Sequence, residues 1–130
     1  MRFQDLLVYK KSFELAMSIY QLSKKFPSDE KYSLTDQIRR SLRSVSENIA
    51  EATRKRLSEF FFISKLTDSD AENSETQVWL EYALVCYYIE KEKFDTLTEK
   101  SFEVGKLLNY TMNNPNKFLY SEICYLKSEI

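Results

Sequence analysis

A single glycine, Gly105, and two prolines, Pro27 and Pro115, are all that this 130-residue chain holds for making sharp turns. Hairpins, type II turns and phosphate-cradling loops depend on those residues, which reach positive φ freely or hold φ fixed. A chain so poor in them is committed to long helices joined by few turns, and its abundant Glu, Lys, Leu and Ser agree. The expected fold is all-α, a single-domain up-down four-helix bundle. At this length one core buries roughly two-thirds of the unfolded surface, so neither disulfides nor a structural metal is needed. Cys86 and Cys124 stand far apart, outside any metal-ligand or redox spacing, and Met1 opens no signal-peptide pattern. They read as two free thiols in a cytoplasmic protein.

Helical periodicity divides the chain into four segments. The first spans residues 4–25 and stops before Pro27, which pushes Phe26 out of the α region. Its apolar residues form two adjacent stripes, Leu6, Tyr9, Phe13, Ala16, Tyr20 and Val8, Leu15, Ile19, Leu22, covering together about 200° of the wheel. A bundle core needs about 100–140°. The surplus implies a second covered surface, and Val8, Leu15, Ile19 and Leu22 are assigned to an oligomer interface. Ser33 and Asp36 have capping-box spacing and start a second helix to about residue 56, with Leu34, Ile38, Leu42, Val45, Ile49 and Ala52 on one face. Ser58 is placed to cap a third helix that runs to about residue 91. A fourth covers residues 93–110 and ends at Asn113-Asn114-Pro115. Residues 1–113 thus make the bundle, and 114–130 a tail or short appended helix.

The third helix is apolar at both ends, around Phe60–Ile63 and again over residues 78–89, and polar between them. Twelve residues, with Glu81 the one charge among them, are too few to span a bilayer, so this run is expected to be buried in protein, with no membrane role. Trp79 falls about 100° round the wheel from Leu80 and needs a cover of its own, either the fourth helix and the tail or another subunit; Trp79 and Tyr82 join the candidate oligomer interface. Ser69, Asn73 and Thr76 continue the stripe of Phe62, Leu66, Leu80 and Ala83, so they point inward, as a polar layer that fixes register and oligomer state or lines an oligomer axis.

The chain has no histidine. That removes Ser-His-Asp and Cys-His nucleophile systems and the Glu-x-x-His ligands of di-iron bundles. The carboxylate row Asp68, Glu72 and Glu75 reads as a solvated or salt-bridged face, not a hard-cation site. Neither catalytic residues nor a cofactor or metal site are expected.

Charge is uneven although the net is −1: residues 1–65 hold thirteen Lys and Arg against eight Asp and Glu, residues 66–130 six against twelve. The halves are expected to pair within the bundle, with Arg39 or Arg43 of the second helix beside Glu72 or Glu75 of the third. On the second helix, Asp36–Arg40, Arg43–Glu47 and Glu51–Lys55 have ion-pair spacing. Arg39, Arg54, Lys55 and Arg56 are then the candidate nucleic-acid contacts, a patch that several copies in a ring would multiply. Nine Tyr, nine Phe and one Trp mostly follow core periodicity, so no stacking platform for single strands is expected, only contact with structured RNA.

Phe26-Pro27, Glu30-Lys31-Tyr32, Leu34-Thr35, Gln37-Ile38-Arg39-Arg40-Ser41, Ser44-Val45 and Asn48-Ile49-Ala50-Glu51 resemble the signature of the 23S rRNA intervening-sequence protein family of bacterial four-helix bundles. Asp5-Leu6, Val8-Tyr9, Glu59-Phe60 and Glu75-Thr76-Gln77 follow the same order, so the likeness covers about residues 3–112. This chain departs from the pattern at Ser46, Ala52 and Ser69-Asp70, where proline, glycine and Gly-Ser stand in the family. A related group, the accessory proteins of diversity-generating retroelements, forms pentameric barrels that bind nucleic acid and a reverse transcriptase. The resemblance therefore implies a homopentamer with RNA as a partner. The alternative is a helical subunit that docks on a polymerase or nuclease through residues 78–89.

Overall fold

The structure, a computed structural model, describes residues 2–119, and among them there are helices and no strands. Four helices form the body: α1 (Leu7–Ser23), α2 (Leu34–Arg54), α3 (Glu59–Val85) and α4 (Lys91–Asn113). Short 3-10 turns lie at Phe3–Asp5, Ser28–Glu30 and Pro115–Lys117. Each helix packs on its two sequence-adjacent neighbours, with α1 and α4 closing the square, and the α2–α3 contact is the most extensive. The directions follow from which residues meet. Ser12 faces Ser46 and Ser23 faces Arg39 across α1 and α2; Ser41 meets Thr76 and Glu51 meets Lys65 across α2 and α3; Asn73 meets Ser101 and Thr67 meets Met112 across α3 and α4. In every pair one number rises as the other falls, so neighbours run antiparallel, as short connections in a bundle dictate.

The core is the expected one on α2, where Leu34, Ile38, Leu42, Val45, Ile49 and Ala52 are all buried. On α1 the assignment of stripes is corrected. Val8, Leu15 and Ile19 are buried inside the subunit and Leu22 packs against the same core, so the chain's own helices already cover this stripe. The surplus apolar surface of α1 lies one stripe over, at Phe13, Met17 and Tyr20. Helical spacing showed that two stripes exist; which of them meets the core depends on how α2 and α4 set the rotation of α1, and the local pattern does not contain that.

Ser69, Asn73 and Thr76 do point inward, and their partners all lie within the subunit. Ser69 donates to the Val45 carbonyl at 2.8 Å, Thr76 and Ser41 are 2.9 Å apart, and Asn73 exchanges bonds with the Ser101 carbonyl and hydroxyl, both at 2.9 Å. Gln77 adds a donor to the Ser101 hydroxyl. The nominal departure at Ser46 has the same use: its hydroxyl lies 3.0 Å from that of Ser12. Gly105 of α4 approaches this region, yet a Cβ there would sit 3.5 Å from Asn73 Nδ2, an ordinary contact.

The helix ends also correct the sequence reading. Ser58 caps α3 as expected, accepting from the Phe61 N–H, but Ser33 makes no cap bond. Its hydroxyl donates instead to Glu30, whose carboxylate also accepts from Leu34 N–H and, at 2.8 Å, from the Tyr88 hydroxyl. An acid at the positive end of α2 does the work assigned to a capping box. α3 stops at Val85, short of residue 91, because Tyr87 adopts φ 62° and the Tyr88 and Tyr87 amides bond back to the Ala83 and Leu84 carbonyls. This Schellman end breaks the apolar run, so Leu80, Ala83 and Ile89 enter the core while Val78, Tyr82, Val85 and Tyr87 face water. After α4, Phe118 and Leu119 pack against the core. The rest of the expected tail, including Cys124, lies outside the described residues; Cys86 is a free, exposed thiol. Among the described residues no helix is long and apolar enough to cross a membrane.

Candidate binding surfaces

The outward side of α2 separates two grooves. Toward α1, a cleft of about 370 Å³ is lined almost wholly by apolar groups, chief among them Phe3, Tyr9, Phe13, Met17 and Tyr20. The rings form a row: Phe3 meets Tyr9 edge-on at 4.9 Å, and Tyr9 stacks on Phe13 at 6.0 Å. Tyr20 closes the row beneath three cations, Arg39 at 4.8 Å, Lys24 at 5.0 Å and Arg43 at 5.6 Å from its centroid. Beside the expectation of no stacking platform for single strands stands a partly open row, with Phe13 exposed and Phe3, Tyr9 and Tyr20 half-buried. The signal was in the sequence, in the stripe Tyr9, Phe13, Tyr20, but that stripe had been assigned to the core.

Toward α3, a polar groove of about 530 Å³ is lined by Gln37, Arg40, Arg43, Glu47, Glu72 and Glu75 among others. Of the expected pairing of helix-two cations with helix-three acids, Arg43 shares this groove with Glu72 and Glu75 but closes no ion pair among the described residues, while Arg39 turns to α1, where its Nε donates to Ser23 at 2.8 Å. Arg40 is the cation whose field reaches Glu72. Glu72 is nonetheless held above the usual carboxylate range, first by burial and then by neighbouring Glu75. Among the described residues the pairs within α2, Asp36–Arg40, Arg43–Glu47 and Glu51–Lys55, do not close; Glu51 bridges to Lys65 of α3 at 2.9 Å, and that bond raises the Lys65 pKa. The described residues contain no cluster of three acids or thiols suited to a metal.

The four candidate nucleic-acid cations do not form one patch. Arg54 and Lys55 are exposed at the C-terminal end of α2, and Lys55 lies over the Phe61 ring. Arg39 sits about 22 Å back along the helix, half-buried against Tyr20. Arg56 is buried and engaged, its Nε donating to the Thr53 carbonyl, so it is removed from the exposed set. The distinction follows from the chain leaving the helix after Arg54, which turns Arg56 inward.

The outer face of α3 is the other conspicuous surface. Along its solvent-facing side the line Phe60, Ser64, Thr67, Ala71, Ser74, Val78, Tyr82, Val85 is exposed and uncharged, with exposed Asp68 and Glu81 on its flanks. Trp79 lies on the flank of this stripe, half-buried, with its ring against Tyr82 and its indole N–H on Glu75.

A solved structure from Bacteroides thetaiotaomicron, described as a protein of unknown function from the S23 ribosomal protein family, has the same fold. It is 32% identical with a TM-score of 0.74, over 82% of this chain and 96% of that one. No match is found among curated proteins. Helix count, antiparallel order and the motifs along α2 agree with a sequence match that runs over residues 4–110, and the chain belongs to the 23S rRNA-intervening sequence protein family.

Proposed function

We infer that this protein is a non-catalytic, self-associating scaffold, with five copies as the expected assembly, which contacts RNA through cations of α2. The observation that carries self-association is the uncharged outer stripe of α3. A helix face open to water is ordinarily polar or charged, and a contiguous exposed apolar strip along one marks an interaction surface. Here Phe60 is 75% and Val85 74% exposed, at opposite ends of a helix about 40 Å long. A second copy is a fitting cover, since burying the strip needs another apolar surface and each copy carries one. Light scattering at micromolar concentration is expected to give several times the 15.5 kDa of one chain; a monodisperse monomer would refute self-association.

The RNA part rests on Arg39, Arg43, Arg54 and Lys55. Each subunit supplies only a few phosphate contacts, and assembly brings the number to the 6–10 or so that support binding at physiological salt. Affinity is then expected to fall by roughly 10³ or more between about 50 and 200 mM salt. Arg54→Glu/Lys55→Glu should flatten that dependence, and an unchanged salt slope would remove these residues from the interface. Co-purification with a fixed protein, free of nucleic acid, would favour the alternative of a docking subunit.

A further inference from the structure

We propose that the cleft between α1 and α2 binds single-stranded nucleic acid, with unpaired bases on the ring row of α1 and backbone phosphates on Lys24, Arg39 and Arg43. This rests on the RNA part of the function proposed above and names the form of nucleic acid the site takes. Three observations support it. The cleft is open and its lining is apolar and aromatic, with Phe13 50% and Met17 43% exposed. Bases have a π-face whatever their identity, and a row of rings is the sequence-tolerant surface for them, whereas a duplex keeps its bases stacked on each other.

The second observation is charge complementarity. Lys24, Arg39 and Arg43 gather at the Tyr20 end of the cleft, and of the residues lining it only Glu47 is acidic. An uncharged apolar ligand would have no use for three cations on its rim; an anionic polymer with flat apolar bases uses both parts. The third is that the cations are held in place. Arg39 is fixed through its Nε by Ser23 and by the Tyr20 face, so little side-chain freedom is lost on binding. From Tyr9 to Tyr20 the row runs about 16 Å along α1, enough for a few nucleotides per subunit.

The test uses the full chain and a fluorescent single-stranded RNA of about 12 nucleotides, against the same sequence in a hairpin duplex and against adenosine monophosphate. The single strand is expected to bind at least tenfold more tightly than the duplex. Phe13→Ala should weaken it by about tenfold or more, Phe13→Tyr should restore it, and Phe102→Ala, an exposed ring on α4, should leave it unchanged. Equal affinity for strand and duplex with no effect of Phe13→Ala overturns this site and leaves the cation contacts standing. No binding of either form at about 50 mM salt overturns the RNA function itself. Adenosine monophosphate bound as tightly as the strand would reassign the cleft to a free nucleotide. Loss of the assembly in Phe13→Ala would show that a second copy fills it.

Discussion

Tyr87 holds a left-handed backbone conformation at φ 62° while its side chain is 93% exposed. A residue with a Cβ loses about 1–2 kcal/mol there, and the Schellman end of α3 asks only for a backbone that tolerates the turn. Tyr87→Gly is therefore expected to raise stability by up to about 1 kcal/mol in urea unfolding. If the variant is less stable, the Tyr87 ring has a partner that pays for its strain. Glu72 gives a prediction of a different kind. Its carboxyl is held above the ordinary value of 4.5 by burial and by Glu75, so the folded state binds its proton more tightly than the unfolded state does. That contribution is full below the unfolded value and is lost as pH rises through the folded one. Glu72→Gln should thus be more stable than the parent at pH 7, with the gap closing on acidification; a gap independent of pH would place its origin elsewhere. Glu30 has the opposite sign, lowered first by the Ser33 hydroxyl and then by Tyr88. Its stabilisation is present above 4.5 and fades as pH falls through the depressed value. This knot was not legible in the sequence, because Glu30 and Tyr88 lie on either side of two helices and nothing local pairs them.

At the scale of elements, α3 was legible in its inward face and misread at its end. The stripe Phe62, Leu66, Ser69, Asn73, Thr76, Leu80, Ala83 is buried as its spacing requires. The end depended on a non-glycine residue entering the left-handed region, for which the residue type gives no cue. α1 failed differently, since both of its stripes are apolar and only the packing of α2 and α4 against it selects Val8, Leu15 and Ile19. The polar centre of α3 leads to a firm expectation. Asn73→Ala removes both bonds to Ser101 and leaves a buried hydroxyl and carbonyl with fewer partners, at a cost of about 2–4 kcal/mol. Chemical denaturation measures it, and a loss under about 1 kcal/mol would mean that water or rotation of Ser101 replaces the bonds.

For the whole molecule, the number of helices, their antiparallel order and most of the core were legible from turn scarcity and period alone. Candidate sites were not, because a cation's value depends on what lies across from it: Arg39 and Arg43 meet Tyr20, and Arg56 turns inward. The assembly surface is testable at this scale. Val78→Lys/Tyr82→Lys places two charges on the exposed stripe of α3 and touches no core residue. The variant is expected to keep its helical content and unfolding midpoint while its mass by light scattering falls toward one chain; an unchanged mass would move the contact to another face.

The hydroxyls shared between helices have a consequence for how such chains diverge. Ser41 with Thr76, Ser12 with Ser46, and Asn73 with Ser101 bond across helices, and Ser41, Thr76 and Ser12 each also reach a carbonyl of their own helix. An aliphatic replacement at Ser12 removes the bond that the Ser46 hydroxyl makes across the helices, whereas replacing both together costs little. Drift here should therefore proceed by joint exchange: where a relative carries an aliphatic residue at the position of Ser12, the position of Ser46 should have changed with it, whereas Ser41 and Thr76, each with a bond to its own helix, are freer to change one at a time.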